Sequence, residues 1–127
     1  MGYRSEVAIA LSKTGTETLH AKLSSPDVSE ELRCSVTNLL GYAEQHYIDQ
    51  TTGAEMWYWD WIKWYGGNFA YYENIKFIED TLAALEDDEY RFIRIGEEYE
   101  DVELSGTFWD NPFELELVRG INISEPA

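Results

Sequence analysis

Apolar and polar residues alternate with a period of two along several stretches of the chain, which is typical of β-strands with one better-buried face. In residues 3–11 the odd-numbered positions form the more apolar face. Residues 47–51 and 54–65 predict a hairpin that turns at Thr52 and Gly53. Residues 90–95, 99–104 and 113–123 predict three further strands.

Three other stretches have the apolar spacing of helices. Residues 14–23 carry Leu19 and Leu23, which are four positions apart. Ser25 is predicted to cap a second helix, with Pro26 in its first position. The stripe of that helix is Val28, Leu32, Val36, Leu39 and Ala43, and a third helix, ending near Leu85, has the stripe Ile75, Ile78, Leu82 and Leu85.

The order of these elements is strand, helices, hairpin, helix and then strands. It predicts one α+β domain over residues 1–127, a two-layer sandwich with a largely antiparallel sheet and two or three helices on one face. The first part of this order predicts a ferredoxin-like arrangement.

Residues 56–65 are dense in aromatic side chains. Alternation places Trp57, Trp59 and Trp61 on one face of this strand and Tyr58, Ile62 and Trp64 on the other. Large groups on both faces favour an interior strand whose tryptophans pack in the core. An alternative is an exposed anchor for a partner, formed by Trp64, Tyr65, Tyr71 and Tyr72.

Charge changes this picture more than composition does. The chain has 127 residues, of which 44% are hydrophobic, so compositional disorder is excluded. Its 25 acidic and 9 basic residues give a net charge of −16, which argues against direct binding to nucleic acid or to an anionic membrane. One cysteine, and no apolar segment that could target or anchor the chain, predict a soluble cytoplasmic protein.

Most of the acid lies in the second half of the chain, where it is predicted to form a partner-binding surface. Residues 73–127 have a net charge of −12, against −4 for residues 1–72. The predicted partner-binding residues are Glu86, Asp87, Asp88, Glu89, Glu97, Glu98, Glu100, Asp101, Glu103, Glu114 and Glu116.

Two patterns support that prediction. Residues 86–89 follow the predicted end of a helix, where carboxylates oppose the helix dipole, and a local rule broken without compensation favours a function. Glu114 and Glu116 alternate with apolar residues on a predicted strand, which would set them about 6.6 Å apart. Successive phosphates of nucleic acid are about 6 to 7 Å apart. The acids are therefore predicted to imitate a phosphate track, the alternative being that they only keep the domain soluble.

No catalytic motif, metal site or cofactor site is predicted. His20 and His46 are far apart in the sequence and have a single cysteine to join them. That residue, Cys34, lies beside the apolar stripe of its helix and is interpreted as half-buried and structural. Asp60 and Lys63, within the aromatic strand, are interpreted as an ion pair or as partners of indole groups, and the alternative is a small enzyme or ligand pocket among the tryptophans.

Four segments carry a resemblance to a group of known proteins. They are residues 1–7 (MGYRSEV), 61–65 (WIKWY), 91–96 (RFIRIG) and 109–113 (WDNPF). In these segments the chain resembles small acidic proteins encoded by bacteriophages and prophages. The resemblance implies a phage origin and action inside a bacterial cell, where phages use small acidic proteins against host nucleases, restriction enzymes, CRISPR complexes and transcription machinery. It implies no catalytic residues.

Charge and resemblance together predict a non-enzymatic phage inhibitor. Its partner would be a host nucleic-acid-handling or defence protein, whose basic cleft it occupies in the manner of a DNA mimic or anti-CRISPR protein. Three alternatives remain open. One is a ligand-binding protein or enzyme that uses the tryptophan-rich strand, another is a phage structural or accessory protein whose acidity serves only solubility. The third, a sponge for a nucleotide signal, is disfavoured because its phosphates would meet carboxylates.

Overall fold

The structure is a computed structural model that describes residues 3–65, 72–108, 110–115 and 117. Its helices are α1 (Lys13–Leu23), α2 (Glu30–Gly41) and α3 (Glu73–Ala83). Its strands are β1 (Ser5–Leu11), β2 (Gln45–Ile48), β3 (Glu55–Ile62), β4 (Tyr90–Ile95) and β5 (Val102–Ser105). A short 3₁₀ turn, Asp87–Glu89, leads into β4.

The five strands form one antiparallel sheet in the order β2-β3-β1-β4-β5. The predicted α+β sandwich is therefore confirmed. The first four strands have the order and helical connections of a ferredoxin-like split β-α-β unit, and β5 extends the sheet beyond β4. The predicted hairpin is also confirmed, because β2 and β3 pair across a turn in which Gly53 has φ +78°.

The core lies between the three helices and one face of the sheet. Odd-numbered residues of β1 and β3 meet the apolar stripes of the helices there. The central members are Val7, Ile9, Leu11, Trp57, Trp59, Leu19, Val36, Leu39, Ile75, Ile78, Leu82 and Phe92. The predicted stripes of all three helices thus point to the sheet.

The second face of the sheet is buried as well. Ala8, Ala10, Met56 and Ile93 on this face are buried. Two hollows on this face have walls formed by sheet residues on one side and by residues 113–115 and 117 on the other. The C-terminal part of the described chain therefore lies against the sheet, and β1 is buried on both faces rather than on one.

A β-bulge in β3 changes the predicted alternation of its aromatic residues. Val7 of β1 pairs with Trp59, but Ser5 pairs with Ile62, so β3 contributes one extra residue. The extra residue turns Ile62 to the helix-covered face and leaves Trp61 56% exposed. The prediction that Trp61 shares a face with Trp57 and Trp59 was wrong for this reason.

The second helix begins four residues later than predicted. Its N-cap is Ser29, whose hydroxyl accepts a hydrogen bond from the Leu32 N–H. Ser25 instead accepts from the N–H of Asp27, in a turn held by Arg33. The Arg33 guanidinium donates to the backbone carbonyls of Leu23, Ser25 and Val28. Further along α2, Cys34 is exposed rather than half-buried.

Gly106 is predicted to be essential for the connection that follows β5. Its φ is +80°, and a Cβ there would lie 2.1 Å from the carbonyl oxygen of Tyr90. Gly106→Ala should therefore lower the free energy of unfolding by more than about 2 kcal/mol, measured by urea denaturation. Gly41→Ala is the matched control, because a Cβ at Gly41 has nothing within 4 Å. A Gly106→Ala variant as stable as the control would contradict this account.

Candidate interaction surface

Strand β4 separates the predicted acidic residues into two groups. The first acidic cluster, Glu86–Glu89, precedes Tyr90, and the second acidic cluster, Glu97–Glu103, follows Ile95. A strand of this length spans about 20 Å at roughly 3.4 Å per residue. The predicted residues therefore lie at opposite ends of β4 and do not form one continuous row.

The first acidic cluster begins a turn rather than ending a helix. Helix α3 ends at Ala83, and residues 87–89 form the separate 3₁₀ turn with Glu86 at its N-cap. Carboxylates at the start of a turn meet the positive end of its peptide dipoles. Glu86 nevertheless follows the end of α3 by only three residues, so the predicted conflict with the dipole of this helix stays a prediction.

Within this cluster, Glu89 has a structural role. Its carboxylate accepts a hydrogen bond from the Ser12 hydroxyl, and its backbone carbonyl accepts from the Ser12 N–H at 2.9 Å. Both bonds attach the 3₁₀ turn to the end of β1. Glu86, Asp87 and Asp88 have exposed side chains and are the part of the cluster that a partner can reach.

Arg94 organises the second acidic cluster from inside the protein. Its Nη1 donates to Ser5 Oγ at 3.0 Å, and its Nε donates to Glu103 Oε1 at 2.7 Å. Both terminal nitrogens donate to the carboxylate of Asp101, at 3.1 and 2.5 Å. Asp101 and Glu103 thus fasten the β4–β5 hairpin and compensate a buried cation.

The pKa of Asp101 is lowered by this arrangement. The hydrogen bonds from Arg94 are the largest cause, followed by the one from the Tyr3 hydroxyl, which is 2.6 Å from Asp101 Oδ2. The same contact raises the pKa of Tyr3. Asp101 therefore stays ionised at lower pH than an isolated aspartate.

Two acids of this cluster are exposed without a side-chain bond within the described part of the chain. They are Glu98 and Glu100. Glu97 is also exposed, but its Oε2 accepts a hydrogen bond from the Arg4 N–H at 2.8 Å. The second acidic cluster therefore divides into structural acids and acids free to contact another molecule.

The two arginines that interrupt the acidic sequence do not neutralise its surface. Arg91 and Arg94 lie on β4 and are only 6% and 8% exposed. Arg91 Nη1 donates to the Gly106 carbonyl at 3.0 Å, and Arg94 is bound by Asp101 and Glu103. Arg94 therefore offsets the charge of Asp101 and Glu103, and the negative charge that faces solvent at the two ends of β4 is that of the other exposed acids.

The predicted strand at residues 113–123 is wrong where the structure describes it. Glu114 has φ +52°, in the left-handed region, and residues 113–115 and 117 are not in a strand. Asn111 holds this turn, because its Oδ1 accepts from the Leu115 N–H at 2.7 Å. Glu116 and residues 118–123 lie outside the described residues. The expected spacing of about 6.6 Å between the carboxylates of Glu114 and Glu116 assumed a strand, and the described residues here do not form one.

The tryptophans do not form a pocket around Asp60 and Lys63. Trp57, Trp59 and Trp64 are buried in the core. The indole of Trp59 donates to the Leu39 carbonyl and that of Trp64 donates to Glu79, both at 3.0 Å. Asp60 lies at the bulge with its side chain exposed. The prediction of core packing is confirmed for these three tryptophans.

The proposed aromatic anchor is only partly present. Trp64 is buried, while the rings of Tyr65 and Tyr72 stack with their centroids 5.9 Å apart. Tyr71 lies outside the described residues. Among the tryptophans that the structure describes, the exposed one is Trp61.

Sequence reasoning missed a cluster formed by the two histidines. His20 of α1 and His46 of β2 both contact the carboxylate of Glu55, at 3.3 Å from Oε1 and 2.5 Å from Oε2. Glu55 is 5% exposed, and His46 stacks on Trp57 with ring centroids 5.2 Å apart. The hairpin register could have placed His46 near Glu55, but no sequence signal connects His20 to them.

This cluster is not a metal site. In the part of the chain that the structure describes, no three His, Cys, Asp or Glu side chains are arranged to hold a metal ion. The imidazoles contact different oxygens of one carboxylate. Their role in the fold is to attach α1 and β2 to the first residue of β3.

Glu55→Ala should lower the free energy of unfolding by about 1 to 3 kcal/mol, because it removes a buried acceptor shared by two side chains. Urea denaturation at neutral pH measures the change. Glu17→Ala, at an exposed position of α1, is the control and should leave stability nearly unchanged. Equal stability of the two variants would show that the cluster contributes nothing.

Asp101→Asn should destabilise the protein in a pH-dependent way. A carboxyl whose pKa is lowered in the folded state stabilises it above the ordinary value of 3.8, and that contribution is lost as pH falls through the folded value. We expect a loss of about 1 kcal/mol at pH 7, shrinking below about pH 4. Thermal denaturation as a function of pH measures it, with Glu100→Gln as control. A pH-independent difference would contradict the assignment.

No family model matches this chain, and no curated protein or solved structure is similar to it. The resemblance to phage proteins is therefore a hypothesis. None of the helices in the described residues is both long and apolar enough to cross a membrane.

Proposed function

We propose that this protein is a non-enzymatic inhibitor of phage origin that binds the basic, nucleic-acid-binding surface of a host protein in the bacterial cytoplasm. The observation that carries the proposal is the exposed acid at both ends of β4, combined with the burial of Arg91 and Arg94. A surface on which carboxylates outnumber cations attracts a basic partner and repels an anionic one.

The separation of the two acidic clusters supports a broad partner surface. Proteins that bind DNA bury about 1,000 to 2,500 Å² of their own surface on the nucleic acid. A basic surface of that size is wide enough to contact both clusters, about 20 Å apart along β4. The host partner would be a nuclease, a restriction enzyme or a CRISPR complex.

The free acids define a variant that tests the proposal without disturbing the fold. It reverses Glu86, Asp87, Asp88, Glu98 and Glu100 to Lys, and it spares Glu89, Glu97, Asp101 and Glu103 because they bond within the protein. A matched control makes the same change of charge at exposed acids outside the two acidic clusters, namely Glu17, Asp27, Glu31, Asp60 and Glu73.

The tagged protein should recover a basic nucleic-acid-handling protein from bacterial lysate. Rising salt should release it, because the Debye length falls from about 10 Å at 0.1 M to about 3 Å at 1 M. The cluster variant should lose the partner while circular dichroism shows it folded, and the control should retain it. If both variants bind like the original protein, or if the original recovers nothing specific, the acids serve solubility and the proposal fails.

A further inference from the structure

Strand β2 is an open edge of the sheet. It pairs with β3, and no strand of the described residues lies on its other side. The register and one hydrogen bond fix which backbone groups face outward. Asp49 N–H donates to the Ala54 carbonyl at 2.8 Å, and bonded pairs alternate in an antiparallel ladder. Tyr47 therefore bonds to β3, while the N–H and C=O groups of His46 and Ile48 point away from the sheet.

Apart from its short length of four residues, this edge shows, in the described part of the chain, none of the usual protections against strand addition. Edge strands are protected by lysine, proline, bulges or a covering segment. Residues 45–48 (QHYI) contain neither lysine nor proline and pair with β3 without a shift in register. Tyr47 and Ile48 are 51% and 53% exposed, so apolar surface lies on both sides of the free backbone groups.

The hairpin that carries this edge has an acidic sequence, and Lys13 packs against Gly53 at its turn. Residues 34–62, which include the whole β2–β3 hairpin, contain four acids and no Lys or Arg. Glu44 directly precedes β2 and Asp49 directly follows it. The two positions are about 17 Å apart along an extended chain. Hydrogen bonds from Thr52 lower the pKa of Asp49 and keep it charged.

The negative charge at the ends of β2 determines which kind of strand can bind there. A second copy of the chain would bring the same two carboxylates and a net charge of −16 against the edge. A strand with Lys or Arg at both ends would instead pair with Glu44 and Asp49 while its backbone bonds to His46 and Ile48.

We propose that the outer edge of β2 binds an extended basic segment of a partner protein as a sixth strand. Its backbone satisfies the outward N–H and C=O groups of His46 and Ile48, in the manner of β-strand addition. Its small or apolar side chains contact Tyr47 on one face and Ile48 on the other. This site is separate from the two acidic clusters and does not depend on them.

A synthetic hexapeptide, Lys-Thr-Val-Thr-Val-Lys, is the probe, because its lysines have the spacing of Glu44 and Asp49. Two further peptides serve as controls, one with both lysines replaced by glutamate and one with every internal amide N-methylated. Binding to the isotopically labelled full chain is followed by amide hydrogen exchange and chemical shifts at 0.15 M salt.

The lysine peptide should slow the exchange of the His46 and Ile48 amides and bind at least about tenfold more tightly than the glutamate peptide. The N-methylated peptide should not bind, because it cannot donate backbone hydrogen bonds. The proposal is overturned if those amides are unaffected up to about 1 mM peptide, or if both charged peptides bind equally.

Two variants of the protein test the location. Ile48→Pro removes an outward N–H but none that bonds to β3, so it should fold and lose peptide binding. Ile48→Lys tests the same edge by charge if the proline variant does not fold, and it should weaken binding at least about tenfold. Leu104→Lys, at a half-exposed position on the opposite edge strand, is the control and should bind normally.

The remaining outcomes are also decisive. Slower exchange of the same amides with rising protein concentration and no peptide would overturn the basic partner and assign the edge to a second copy. The cluster variant at Glu86, Asp87, Asp88, Glu98 and Glu100 should bind the peptide within about threefold of the original protein, since those charges are screened at this salt concentration. A larger loss would place the peptide on the acidic clusters and overturn the proposal.

Discussion

The sheet depends on the burial of its central strand. Residues 7–11 of β1 (VAIAL) carry no charge, and both edges of the strand are paired. The large side chains of Val7, Ile9 and Leu11 point to the helices, while Ala8 and Ala10 leave room for residues 113–115 and 117 on the other face. Polar residues are confined to the ends of this stretch, with Ser5 and Glu6 at the start of β1 and Ser12 directly after it. A charged side chain beside β1 must therefore either form an ion pair within the protein or lie at one end of the strand.

That constraint explains how the acids are distributed. Arg94 lies beside β1, buried, and requires the carboxylates of Asp101 and Glu103. Glu89 is bound by Ser12 at the other end of the pair. Within the two acidic clusters, the acids that remain exposed lie beyond the ends of β4. Some carboxylates of this strongly negative chain therefore stabilise the fold, and others are available for binding.

Local patterns predicted the elements whose formation is local, and long-range contacts decided the rest. The period of two located β1 and β4, and the apolar stripes located the helices. Ser25 and Ser29 both satisfy the rules for an N-cap, and the side chain of Arg33 selects between them by binding the preceding turn. Phe113, Leu115 and Leu117 do alternate with acids, but residues 115 and 117 line a hollow on the sheet instead of pairing with it.

Sequence patterns predicted where the residues of the candidate site concentrate, but not which of them bind one another. The sequence shows where acids concentrate, yet it does not show that Arg94 is buried or which acids bind it. Glu55, His20 and His46 come from three separate elements, and 35 positions separate His20 from Glu55. Such groups are brought together by the packing of α1 and the hairpin, which has no local signature.

The position of β1 also sets the order in which the protein can fold during its synthesis. This strand precedes both of its neighbours in the chain, since they begin at residues 55 and 90. At about 5 to 20 residues per second, β4 follows β1 out of the ribosome by roughly 4 to 16 seconds. Sheets with such distant pairing fold slowly. An apolar strand that is buried in the folded protein thus stays exposed on the nascent chain until its neighbours emerge. We expect chaperones to bind it during that time.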